Sequence, residues 1–162
     1  MAEYQHVEGL REIMEAMQAL GPRVSRKHLR RSVMAGGRIV RDEAKGRAPM
    51  YHGKVAKGHP PPGTLKRAIA AARSNRSSGP GKEVVNIYVR QAKNGSVGDA
   101  KIKAYSKLDA YYWRMVEFGT SKMAAQPFLR PAFEANKERC VDIIKDTLIQ
   151  GIEAETADLA KR

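Results

Sequence analysis

The segment VEFGTSKMAAQPFLRP, residues 116 to 131, decides how the second half of this chain is read. Its first half closes an aromatic, apolar run at a glycine-threonine pair, and its second half sets Pro127 and Pro131 on either side of Phe128 and Leu129. Glycine reaches backbone conformations closed to other residues, and proline fixes φ. The punctuation predicts a tight turn at Gly119 and a fixed approach to the helix that follows, with Phe128 and Leu129 presented in one orientation. Nothing in the segment pairs a nucleophile with a base at a usable spacing, so the bend is expected to serve shape rather than catalysis. Glu117 is the one carboxylate in the run 110–118. It reads as a general base or, more simply, as a structural carboxylate paired with Arg114 or Arg130 or bonded to turn N–H groups.

Downstream, Pro131 can occupy the first turn of a helix whose apolar stripe runs through Phe133, Cys140, Ile143, Ile144, Leu148 and Ile152 toward Leu159. About 28 residues at 1.5 Å each would span roughly 40 Å, longer than a small sheet needs, so the helix end is expected to meet something else. Upstream, AYYWRMVEF (110–118) suits a buried third strand or a short helix, which periodicity does not separate. EVVNIYVRQ (83–91) alternates as a strand should, Asn94-Gly95 signals a hairpin, and AKIKAYS (100–106) supplies its second strand. TLKRAIAAA from Thr64 reads as a helix with Leu65, Ala68, Ile69 and Ala72 inward.

The N-terminal third reads as two helices. Val7, Leu10, Ile13, Met14, Met17 and Leu20 make a stripe ended by Gly21-Pro22. A second helix is expected from about Ser25 to Gly46, with Leu29, Val33, Ile39, Val40 and Ala44 inward and Arg30, Arg31, Arg38 and Arg41 outward. Gly36-Gly37 in its middle implies either close helix contact or a kink. Residues 48–63 and 74–82 are rich in glycine, proline and serine and are expected to be flexible basic loops. The resulting fold class is α+β: one domain, residues 1–162, with a small antiparallel sheet (a β-hairpin plus a third strand) packed against N-terminal helices and a long C-terminal helix.

The net charge of +13 is concentrated, because residues 21–82 hold 16 Lys and Arg against only Asp42 and Glu43. That field attracts nucleic acid, an acidic protein surface or an anionic membrane, and a solvated face is the plain alternative. The only aromatic residue between Gly21 and Lys82 is Tyr51, which argues against stacking on single strands. The polar N-terminus has no secretory signal pattern and the apolar runs are too short to span a bilayer, so no membrane partner and a reducing cytosol are expected. GHPPPGT (58–64) has glycines at a phosphate-loop spacing but no lysine after Gly63 and three prolines without N–H groups. His52 and His59 share that loop without a nearby carboxylate or cysteine, and Cys140 falls on an apolar stripe. No cofactor, metal or catalytic residue is expected.

VEFGTSKMAAQPFLRPAFEANK, with AYYWRM before it and a long helix after it, resembles the tailed-bacteriophage HK-ninety-seven gene-ten-like family of tail-component or neck proteins. RDEAKGRAPM and the Gly63-Thr64-Leu65 step agree in order, whereas HGKVAKGHPPPG is longer and more basic than the family pattern. The resemblance implies a structural virion protein without enzymatic activity, made in the host cytoplasm. It would form a ring, for instance a hexamer, at the head-tail junction or proximal tail as a neck, tail-completion or tail-terminator subunit. Its partners would be copies of itself, neighbouring neck, head-closure or tail-tube proteins, and duplex DNA in the lumen. Candidate interface residues are Glu117, Phe118, Gly119, Thr120, Pro127, Phe128, Leu129, Arg130 and Pro131; candidate contacts to DNA or an acidic partner are Lys54, Lys57, Lys66, Arg67, Arg73 and Arg76. The rival reading is a free basic protein that contacts duplex phosphates.

Overall fold

Gly21, at φ 79°, separates two helices, α1 (Leu10–Ala19) and α2 (Pro22–Arg47), and Pro22 opens the second where a missing N–H leaves nothing unsatisfied. The Ser25 hydroxyl reaches the carbonyls of Met17 and Gly21, which fixes the corner. The structure, a computed structural model, describes residues 10–52, 55, 59–93, 99, 101–159 and 161. The expected start of the first helix at Val7 and the Asn94-Gly95 turn lie outside the described residues.

The organising contact is an antiparallel pair between α2 and the 31-residue helix α5 (Leu129–Leu159), which is about 46 Å long at 1.5 Å per residue. The Gly36-Gly37 pair answers to close approach, and α2 runs unbroken through it. A Cβ on Gly36 would lie 2.7 Å from Cys140 Sγ, and one on Gly37 would lie 2.8 Å from a Val85 methyl. The glycines therefore let a helix and a strand seat on adjacent faces of α2. Its buried positions are His28, Ser32, Gly36, Gly37, Val40 and Ala44, while Leu29, Val33 and Ile39, expected inward, are half-buried. Near the other end Ile13 of α1 packs with Leu148 and Ile152 of α5, backed by Met17 and Leu20.

The sheet differs from the expected one. After a single helical turn, α3 (Thr64–Ala68), the chain straightens into β1 (Ile69–Arg73), which pairs antiparallel with β2 (Val85–Val89) in the register Ile69 to Val89 and Arg73 to Val85. The partner of the clear strand is thus the alanine-rich run expected to be helical. Residues 101–107 form turns instead of the second hairpin strand, and among the described residues no third strand is seen. Residues 113–118 form the short helix α4 (Trp113–Phe118). Between β1 and β2, residues 74–82 make the expected turns, closed by Gly79 N–H to Lys82 O at 2.8 Å. Buried Asp109 braces the return path by accepting N–H bonds from Ala92 at 2.8 Å and Tyr105 at 2.7 Å. The main core joins Ala44, Leu65, Ala68, Ile69, Val89, Ala110, Phe128 and Ala132, so the architecture is α+β with a two-stranded sheet against helices. Among the described residues no helix is long and apolar enough to cross a membrane.

Candidate assembly surface

The quoted segment folds into a closed brace. Helix α4 ends at Phe118, and Gly119 turns the chain at φ 74°, ψ 178°, a region essentially restricted to glycine. A Cβ there would lie 2.9 Å from the Ala125 nitrogen and 3.0 Å from the Met123 oxygen, both backbone atoms that cannot step aside. Thr120 N–H donates to Met123 O at 2.8 Å, and Gln126 N–H returns to Val116 O at 2.8 Å. The chain then comes back under α4 and starts α5.

Glu117 joins the two helices. Its buried carboxylate accepts N–H bonds from Phe128 at 2.8 Å, Leu129 at 3.0 Å and Arg130 at 3.1 Å. These are amides that a helix N-terminus leaves without internal partners. Pro131 has no N–H, and Ala132 N–H donates to Phe128 O at 3.3 Å, so the donors of the first turn are all accounted for. The negative charge also sits at the positive end of the α5 dipole. Among the described residues Glu117 forms no ion pair; Arg114 instead lies over its neighbour Trp113, 5.4 Å from the ring centroid. Of the readings open from sequence, bonding to turn N–H groups is the one observed.

The candidate interface residues divide at this brace. Phe128, expected to be presented outward, is 0 % exposed in the chain's own core, because the return of the chain into α5 carries it into the cluster that holds Leu65, Ile69 and Ala132. Leu129, Gly119 and Pro131 are half-buried, and Thr120, Pro127 and Arg130 are exposed. Phe118 is 67 % exposed, and Met115 and Phe133 are also on the surface. Phe133 was expected on the inward stripe of the last helix; Ala132 and Asn136 take the buried positions there instead. The exposed apolar side chains missed from sequence are therefore Met115, one turn before Phe118 on α4, and Phe133 on α5.

The cationic candidates do not form one site. Lys54 and Lys57 lie outside the described residues. Lys66, Arg67 and Arg76 are exposed, and Arg67 donates to Pro62 O at 3.0 Å. Arg73 pairs with Glu83, whose side chain is buried, and with Asn75. Arg73 also borders a hollow of about 350 Å³ whose other walls are Arg23, Arg26, Lys27 and Arg30 of α2. Of these, Arg30 was expected only as an outward residue of the second helix, although the spacing of Arg23, Arg26 and Arg30 marks one helix face.

The proline-rich loop borders a separate cleft of about 550 Å³ with Tyr111, Tyr112 and Met123. His59 lies 3.1 Å from the Tyr111 hydroxyl, and His52 lines the same cleft. Among the described residues no group of three His, Cys, Asp or Glu side chains is placed to hold a metal ion. Burial pushes the Cys140 thiol and the Tyr112 phenol above their ordinary values. Glu155 is held below the usual carboxylate range, first by the hydrogen bond from Lys27 and then by that from His28.

No curated protein and no solved structure shows significant similarity to the chain. The family model described as "Bacteriophage HK97-gp10, putative tail-component" matches residues 11–119, from α1 through the Gly119 turn, so the half of the brace that leads into α5 lies beyond the match. With two thirds of its length so matched, the chain belongs to the bacteriophage HK97-gp10-like tail-component family.

Proposed function

We propose that this chain is a structural virion subunit that closes into a ring at the head-tail junction, as a neck, tail-completion or tail-terminator protein around the DNA passage. Membership of a phage tail-component family supports a structural role in the virion and contact with other virion proteins. The observation that carries the finer reading is Phe118, 67 % exposed on a six-residue helix clamped by Glu117 to the start of the longest helix. An exposed aromatic costs little to bury against a neighbour when its own backbone is already fixed. Rings arise from heterologous contacts that close by rotation, and Phe118 with Met115, one turn before it on α4, supplies one of the two surfaces. Partners are further copies, in a hexamer for instance, and the adjoining head-closure or tail-tube proteins. The subunit carries out no chemistry.

Deleting the gene and imaging the lysate tests this reading, with the protein gold-labelled in a complemented control. Free heads and unjoined tails, with label at the junction, are expected. Normal virions without the chain, or label over the capsid shell, would overturn it.

A second reading, a free basic protein on duplex phosphates, is favoured by the cationic hollow beside α2. Ring particles that persist across salt without DNA exclude it.

A further inference from the structure

Helix α2 and strand β1 frame a hollow that, among the described residues, is lined by cations alone: Arg23, Arg26, Lys27 and Arg30 on α2 and Arg73 on β1. Two carboxylates are within ion-pair distance of these groups. Glu155 takes Lys27 at 2.7 Å, and Glu83 takes Arg73. Arg23, Arg26 and Arg30 have no ion-pair partner among the described residues, and all three are exposed. Like charges held this close repel one another, so the arrangement is lowest in free energy when an external anion joins it.

The chemistry of the walls selects the anion. Four of the five cations are arginines, whose planar guanidinium grips phosphate oxygens in pairs. From Arg23 to Arg30 the helix rises about 10 Å, a length over which one strand of B-DNA presents about three phosphates. Among the described residues no aromatic ring lines the hollow, which leaves bases nothing there to stack on and favours the backbone as what it holds.

We propose that the hollow formed by Arg23, Arg26, Lys27, Arg30 and Arg73 binds the phosphodiester backbone of duplex DNA without regard to sequence. Of the candidate contacts read from sequence, Arg73 stays in this site, and the other four residues come from the N-terminal half of α2. The inference deepens the ring reading and rests on it for the source of the DNA, which is the duplex in the passage.

The test is fluorescence anisotropy of the full chain with a short labelled duplex of random sequence, across a series of NaCl concentrations. Each phosphate neutralised contributes about −0.9 to the slope of log K against log salt, so the wild type should show a slope between about −2.7 and −4.5. The triple variant Arg23→Gln, Arg26→Gln, Arg30→Gln should lower the magnitude of that slope by about 2.7 while its thermal melt stays unchanged. Lys66→Gln with Arg76→Gln should leave slope and affinity near wild type. Wild-type binding by the triple variant, or no binding by the wild type, would overturn the proposal. So would polyglutamate competing as well as DNA at equal salt, which would assign the hollow to an acidic protein neighbour. A chain that joins heads to tails without binding DNA removes this inference and leaves the ring; one that binds DNA as expected but is absent from the junction does the reverse.

Discussion

A carboxylate oxygen of Glu117 lies 2.8 Å from the backbone nitrogen of Phe128, and through this contact the last turn of α4 caps the first turn of α5. Ten residues, most of them turn and irregular chain, lie between the two in sequence, so the cap is a tertiary one. It fixes the angle at which a short helix meets a long one, and Phe118, next in the chain, inherits that rigidity.

Glu117→Ala should destabilise the chain by about 2–3 kcal/mol, because three buried or half-buried N–H groups lose a charged acceptor at once. Glu117→Gln keeps one acceptor oxygen and should lose about 1 kcal/mol. Urea unfolding followed by circular dichroism measures both, and a loss below about 0.5 kcal/mol for the alanine variant would contradict the capping role.

At Gly119 the backbone conformation and the 2.9 Å approach of the Ala125 nitrogen act together. Gly119→Ala is expected to lose at least about 2 kcal/mol, and Gly119→Val to yield no assembled particles. Equal midpoints for the wild type and the alanine variant in the same urea titration would show that the turn relaxes freely.

His28 packs against α5 where Gly151 leaves room, and a Cβ at Gly151 would fall 2.2 Å from His28 Nδ1. That nitrogen is buried without a hydrogen-bond partner among the described residues, while Nε2 lies 3.0 Å from Glu155 Oε1. Gly151→Ala should cost about 1–3 kcal/mol by overpacking. In a His28→Ala background the cost should vanish, giving a coupling of about 1 kcal/mol or more in a double-mutant cycle. Additive effects would mean that the two do not touch.

Glu155 gives the fold an acid-sensitive joint. Its carboxyl is held below the ordinary value by Lys27 and His28, so the folded state binds its proton more weakly than the unfolded chain does. The stabilisation is present above the ordinary carboxylate pKa and is lost as pH falls through the lowered folded value. Thermal melts over the acid range should show Glu155→Gln with a shallower loss of stability than the wild type; parallel curves would rule the joint out.

Legibility from sequence followed the length scale of the interaction. The helices α1, α2 and α5 announce themselves because a 3.6-residue stripe is local; Gly21-Pro22 marks the end of the first and Pro131 the first turn of the last, while α2 starts at Pro22, three residues before the expected Ser25. Strand β1 did not, since Ile69-Ala-Ala-Ala is a strong helix former and becomes a strand only by pairing with Val85–Val89, a nonlocal gain that outweighs propensity. The lysine alternation at 101–103 looked like the second strand but has no buried side, and Tyr105 at φ 57° turns the chain instead. At the site, Gly119 and Glu117 were readable in kind: a glycine-only turn and a carboxylate bonded to turn N–H groups. The fate of Phe128 was not, because two flanking prolines fix how the chain arrives without saying which side of it faces the core.

Exchange of Phe118 for Phe128 as the outward aromatic makes the account testable by dissociating folding from assembly. Phe128→Ala should unfold the chain, at about 3–5 kcal/mol for an emptied core site, and so lose assembly indirectly. Phe118→Ser should leave stability within about 0.5 kcal/mol of wild type. The decisive measurement is the yield of joined, infectious particles when a gene deletion is complemented with Phe118→Ser at wild-type expression. The account predicts a fall of at least about tenfold, the equivalent of 1.4 kcal/mol lost at a contact; a wild-type yield from this folded variant would contradict it.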